Sequence, residues 1–371
     1  MGIADTVADG RRVAIERPGT GVVAVAVAYL LADLVTKLAG TTVYALGYRV
    51  MGGSLTAGSL ASMVLDGLLV GLAVGLAGIG LSMTYSILDF ANFAHGDTVT
   101  VGAFAGWVTA FVLANLATSA PIADLFLFDG GRQLSTASTY AFVLLGLVAA
   151  AVGTVGVVLA VDRLVYRPMR GADNISLLIA SIGVALALRY LIAFVFSTQT
   201  SGVATVGAQV QLGAGVTVTD NEIALLVVSV VLMLAVHLLL QRTKLGKAMR
   251  AMADNEDLAR ITGIPTERVV RLTWVLGGAL AGVSGYLLVL ERGTIAFNFG
   301  WILLLLIFAA VIVGGIGSIY GAMAGGVLIG LVDSLALIWL PSGLTRAAAF
   351  AVLIVVLLLR PSGIFSGVST A

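Results

Sequence analysis

The chain has 371 residues, of which 60% are hydrophobic and only 11% charged, and its mean hydropathy is +1.10. Soluble proteins carry roughly a quarter charged residues, so this is an integral membrane protein without a soluble domain. A net charge of +1 with few, scattered basic residues excludes nucleic acid as a partner. The absence of cysteine removes disulfide and thiolate chemistry, and the two histidines, His95 and His237, carry none of the spacings of a zinc site.

Ten apolar runs read as helices, over 21–39, 63–88, 95–117, 139–162, 175–197, 222–241, 268–290, 300–315, 320–340 and 344–360. Most are long enough to cross a hydrocarbon core of about 30 Å. In the first run, Asp33 and Lys37 stand four residues apart and can pair along one helix face. A cleaved signal peptide is the rival reading for this run; the mixed-charge lead-in Arg11, Arg12 and Glu16 favours an uncleaved helix. With the N-terminus in the cytoplasm, 14 of the 20 basic residues fall on cytoplasmic segments, so the positive-inside bias puts both termini there.

The second and third runs are interrupted by the stretch GLSMTYSILDFANFAHGDTVTVGAF, from Gly80 to Phe104. Asp89, Asn92, His95, Gly96 and Asp97 interrupt the apolar runs there, and mark either a helix break lined by protein and water, belonging to the translocation pathway, or a short loop between spans. The expectation for His95 is a ring that bonds a backbone carbonyl and holds the turn, ahead of a direct transport role. Asp66, Asp89, Arg189, His237 and Asp333 are ionisable residues inside spans. Arg189 is expected to snorkel or to pair with an acid such as Asp66 or Asp333.

The longest polar run, QRTKLGKAMRAMADNEDLARITGIPTERVVR from Gln241 to Arg271, has the grammar of a short helix. Asp254 or Asn255 suits the N-cap, Glu256 and Asp257 suit the positive first turn, Leu258 and Ile261 share a face, and Gly263 followed by Pro265 ends the helix. Such a helix fits either a groove on a partner protein or, as the bland alternative, a solvated connector or a helix lying on lipid. Small residues at four-residue spacing, Gly67, Gly71 and Gly75, Gly278 and Gly282, and Gly317, Gly321 and Gly325, form stripes on which helices pack closely in lipid. No GxxxxGK[ST] run occurs, so nucleotide phosphates are not cradled by that motif. An ion-coupled secondary transporter is opposed by the long cytoplasmic loop, and an intramembrane enzyme by the lack of a nucleophile with its base or of metal ligands.

The runs NFAHG (Asn92 to Gly96) after GLSMTY (Gly80 to Tyr85), YRPMR (Tyr166 to Arg170), ASIG (Ala180 to Gly183), RAMADNEDLARITGIPTERV (Arg250 to Val269) and VGGIGSIYGAMAGG (Val313 to Gly326) occur in an order that resembles the permease subunits of branched-chain amino acid ABC importers, specifically the H-type. The likeness covers about residues 60 to 365. Tyr320 departs from it, standing where relatives usually have proline, and the first 60 residues form an extension with a possible extra transmembrane helix. The resemblance implies an all-α integral membrane protein, a polytopic helical bundle of about eight to ten transmembrane helices, with residues 61–365 as the permease domain. It also implies a cytoplasmic coupling loop at 242–268, in which Ala253, Asp254, Asn255, Leu258, Ala259, Ile261 and Gly263 meet an ATPase. In this reading Ala253 and Ala259 are small because a partner surface approaches them. The partners implied are two ABC ATPase subunits, which hold ATP and magnesium while this chain binds no cofactor, an M-type permease subunit completing a heterodimer, an extracytoplasmic solute-binding protein and the membrane lipid. The implied substrates are leucine, isoleucine and valine; the alternatives are urea or short amides.

Overall fold

The computed structural model describes residues 18–118, 140–203, 209–213 and 215–365. The basic residues Arg11, Arg12, Arg17 and Arg132 lie outside them. The chain opens with helix α1 (Pro18–Leu38), followed by a hairpin of β1 (Thr42–Ala45) and β2 (Tyr48–Gly52). Then come α2 (Ala57–Leu88), α3 (Ala94–Thr118) and α4 (Tyr140–Val161), the last running on through a π turn at Asp162–Tyr166 and a 3-10 turn at Arg167–Met169. Helix α5 (Asn174–Phe196), strand β3 (Ser201–Gly202), the pair β4 (Gln209–Gly213) and β5 (Val216–Thr219), and α6 (Asp220–Arg242) follow. Two short helices, α7 (Lys244–Asp254) and α8 (Glu256–Ile261), lead into α9 (Thr266–Arg292). Strand β6 (Thr294–Ile295) pairs with β3, and α10 (Phe299–Gly314), α11 (Ile319–Leu335) and α12 (Thr345–Leu359) complete the described chain.

Nine helices among the described residues are long and apolar enough to cross a membrane, and the shorter α10 is the tenth apolar run read from the sequence. At 1.5 Å per residue, the 16 residues of α10 cover about 24 Å, whereas the 32 of α2 cover about 48 Å, well beyond a hydrocarbon core. The sequence reading missed α7. Thr243 caps it by accepting the Gly246 N–H (3.0 Å), and Met249 and Met252 bury its apolar side. The signal was present in the cap residue followed by Leu245, Met249 and Met252 at helical spacing.

Helices α2 and α9 form the buried centre, with α3, α4, α10 and α11 packed around them. Small residues permit this. A Cβ added to Gly102 of α3 would lie 2.1 Å from the Cα of Gly282 in α9, and one on Gly330 of α11 would lie 2.4 Å from both Gly67 O and Gly71 Cα of α2. Lipid supplies no hydrophobic drive between helices, so backbone approach of this kind, with the dispersion contact it permits, is what holds the bundle together. Helices α1, α4, α5 and α6 keep long apolar side chains exposed, as lipid-facing helices do. One end of the bundle gathers the ends of α2 and α6, helix α7 and the start of α11 around a small cleft lined by Ser86, Gln241, Arg250, Asp254 and Tyr320. The backbone N–H groups of Ile364 and Phe365 return to Val313 O and Gly314 O (2.9 and 3.0 Å) near the same end.

Candidate functional site

Helix α2 stops where Asp89 enters the left-handed region (φ 53°), its N–H bonding Tyr85 O at 2.8 Å. The next helix does not start beside that stop. The His95 ring Nε2 lies 2.8 Å from Ala77 O, a carbonyl 11 residues before Leu88 and so about 16 Å back along α2. The chain between α2 and α3 is irregular over residues 89–93, and the His95 ring beyond it meets a backbone carbonyl of α2. Irregular backbone at such depth is tolerated only where protein or water satisfies it. Here Asn92 Oδ1 accepts the Ala94 N–H (3.0 Å) and the Tyr166 hydroxyl (3.2 Å), and Ser181 Oγ accepts the Phe93 N–H (3.0 Å). Three separate motif runs, NFAHG, YRPMR and ASIG, thus meet at one place. A fourth joins through Arg170, which donates to Glu267 and to both oxygens of Asp162 (3.1 Å each), while Tyr166 stacks on Trp274 with ring centres 5.2 Å apart. Burial favours the neutral form of Arg170, but the bonds to Glu267 and Asp162 outweigh it and hold the guanidinium above its ordinary pKa.

Asp97, in the first turn of α3, is 0% exposed and meets Arg189 of α5 in a two-point ion pair. Nε reaches Oδ1 at 3.0 Å and Nη2 reaches Oδ2 at 2.8 Å, and the guanidinium sits 4.3 Å from the centre of the Trp301 ring. This corrects the pairing of Arg189 with Asp66 or Asp333. Asp66 is exposed, and Asp333 Oδ1 is buried without a hydrogen-bond partner among the described residues. Asp89 likewise does not lie within a span: it is exposed at the end of α2 and accepts from Asn174 Nδ2 at 3.1 Å. The physical reason is the depth at which α3 begins. In sequence Asp97 follows a turn and looks like a loop acid, yet the fold carries it to the level of a mid-helix arginine. His237 Nδ1 meets the Tyr320 hydroxyl at 2.8 Å, and Gln241 donates to the same oxygen at 3.0 Å. The departing Tyr320 is thus built into the α6–α11 contact.

In the loop, Asn255 is the N-cap of α8, its Oδ1 accepting the Leu258 N–H at 2.8 Å, while Asp254 closes α7. Gly263 (φ +87°) ends α8 in a Schellman motif, its N–H bonding Arg260 O (3.1 Å) and the Ile264 N–H bonding Ala259 O (3.0 Å). Leu258 and Ile261 are 56% and 81% exposed on one face, and Glu256 and Arg260 pair at 2.6 Å. Ala253 is exposed beside the small cleft. Ala259 is only 2% exposed, which corrects the expectation that a partner surface limits its size: the chain's own packing does.

The glycines also divide. Gly321 and Gly325 are close-packing positions, since a Cβ at Gly325 would lie 2.0 Å from Ala310 O and one at Gly321 2.4 Å from Gly314 O. Gly317 is not part of that stripe; at φ +84° it shapes the turn before α11, and its carbonyl accepts the Ser86 hydroxyl at 3.0 Å. Gly96 lets the first turn of α10 cross α3, a Cβ there falling 2.6 Å from Gly300 O.

Comparison with known sequences adds the family. Residues 63–359 match the profile of the permease component of branched-chain amino acid transport systems. The high-affinity branched-chain amino acid transport system permease protein BraD of Pseudomonas aeruginosa is 30% identical over 308 residues, covering 81% of this chain and 94% of BraD. The corresponding LivH protein of Escherichia coli K12 is 30% identical over 306 residues, 81% of this chain and 93% of LivH. A probable LivH permease of the archaeon Methanocaldococcus jannaschii is 31% identical over 322 residues, 81% and 91% of the two chains.

Proposed function

This chain belongs to the permease family of branched-chain amino acid transport systems, and on that footing we propose that it carries leucine, isoleucine and valine inward across a prokaryotic cell membrane. It is a LivH-like ABC importer permease. In the proposed assembly an M-type permease supplies the other half of the pathway, a solute-binding protein delivers substrate from outside, and two separate ATPase subunits hydrolyse ATP. Both termini face the cytoplasm, and residues 1–60 are an extension to the permease domain at 61–365.

The observation that carries the coupling assignment is the exposed apolar pair Leu258 and Ile261 on a helix capped at both ends. In the proposed assembly this loop faces the ATPases, and a rigid helix with an uncovered apolar face suits a cleft on such a partner. ATP-driven closure of the two ATPases then shifts α8 and, through α7 and α9, tilts helices packed on glycine. The experiment is co-purification of the ATPases with the Leu258→Ser/Ile261→Ser double variant. Both side chains are exposed, so the protein is expected to insert and fold while losing ATPase retention and uptake. Normal retention and uptake would show that the loop is a solvated connector.

A further inference from the structure

Helix α8 and the irregular segment 89–93 are far apart in sequence, yet a continuous run of bonds and ring contacts joins them. The turn that ends α8 is hydrogen-bonded on both sides. The Ile264 N–H returns to Ala259 O (3.0 Å), and the Arg268 and Val269 N–H groups return to Pro265 O (3.0 and 3.1 Å). Glu267, in the first turn of α9, is therefore carried by any displacement of α8.

Glu267 accepts from Arg170 on one carboxylate oxygen, and Arg167 Nε lies 3.8 Å from the other. Arg170 also grips both oxygens of Asp162, the residue that opens the π turn at the end of α4. In that turn the Arg167 N–H returns to Asp162 O, one residue farther than an α-helix allows, a widening that recurs at functional sites. Tyr166 closes the same turn. Its buried ring stacks on Trp274 of α9 with an interplanar angle of 4° and lies 5.3 Å from the Phe90 ring centre. Its hydroxyl donates to Asn92 Oδ1, the oxygen that also accepts the first N–H of α3, from Ala94.

Stability alone does not account for the Arg170 clamp. Glu267 is 60% exposed, and an ion pair with so wet a partner adds little to folding. What the clamp does is tie the start of α9 to the end of α4, so that the turn bearing Tyr166 follows α9. Packed side chains and ion pairs that link rigid elements in this way are the physical carriers of coupling between distant sites.

We infer that Arg170 and Tyr166 are positioning residues that pass a displacement of α8 to the start of α3, beside the Asp97–Arg189 pair. The inference rests on the importer reading above and names the link by which ATPase closure reaches segment 89–93.

The test uses the whole assembly in proteoliposomes, this chain with the M-type permease, ATPase subunits and solute-binding protein. Glu267→Gln and Tyr166→Phe are compared with the unaltered chain. The first removes a charge at an exposed site; the second keeps the ring stack and removes only the bond to Asn92. Both variants are expected to melt in detergent close to the unaltered chain, to retain the ATPases and to hydrolyse ATP. Leucine imported per ATP hydrolysed is expected to fall by about fivefold or more, the range of typical coupling between sites. A normal ratio in either variant would overturn the inference while leaving the importer reading standing. Loss of ATPase retention would overturn it too, since the residues would then shape the docking surface instead. Leucine uptake by the unaltered assembly without ATP would overturn both.

Discussion

Asp97 and Arg189 show how one residue's meaning depends on depth. A buried charge is costly unless paired, and losing one partner of such a pair typically costs about 3–5 kcal/mol, because the other is left uncompensated. Arg189→Met is accordingly expected to lower the melting temperature in detergent sharply, by removing the two bonds to Asp97. Asp97→Asn combined with Arg189→Met is expected to recover much of that loss, since no buried ion is then left alone. Equal melting of the single and double variants would mean that Asp97 left without Arg189 is not an uncompensated buried charge. The sequence offered both residues and the need for a partner, but not the pairing: that required knowing that the fold brings the first turn of α3 beside Arg189 of α5.

At the scale of elements, glycine positions that look alike in sequence separate by what surrounds them. A side chain at Gly330 would strike the backbone of α2, with Gly67 O at 2.4 Å, whereas nothing lies within 4 Å of a Cβ at Gly156 in α4. Gly330→Val is expected to drive α2 and α11 apart and to abolish recovery of folded protein by size-exclusion chromatography. Gly156→Ala is expected to be neutral or to gain up to about 1 kcal/mol from helix propensity. The short helix α8 is legible in the amino-acid sequence, because its cap, its acidic first turn and its terminal glycine are local chemistry. Gly263→Val opposes the left-handed turn at φ +87° at a cost of about 1–2 kcal/mol, and is expected to leave insertion intact while weakening ATPase retention in a pull-down. Unchanged retention would separate the turn from coupling. The buried state of Ala259, and the existence of α7, escaped the sequence reading because both depend on what the loop packs against. Ala259→Trp is therefore a poor probe of the partner surface, since it would disrupt the loop itself.

For the whole molecule, membrane class, the ten apolar helices and the family follow from composition, run length and ordered motifs. The convergence of NFAHG, YRPMR and ASIG on Asn92, Tyr166 and Ser181 does not, because these residues lie up to 89 positions apart and are joined only by the fold. The distribution of basic residues predicts that reporter fusions at the N-terminus and after Arg360 both score as cytoplasmic; an external C-terminus would mean an odd number of crossings. The central claim, an importer half driven by ATP hydrolysed elsewhere, is tested most directly by uptake of labelled leucine into proteoliposomes. These contain this chain with the M-type permease, ATPase subunits and solute-binding protein of the proposed assembly. The account predicts saturable uptake that requires ATP and is absent when the ATPases are omitted; leucine uptake by this chain alone, driven by an ion gradient, would contradict it.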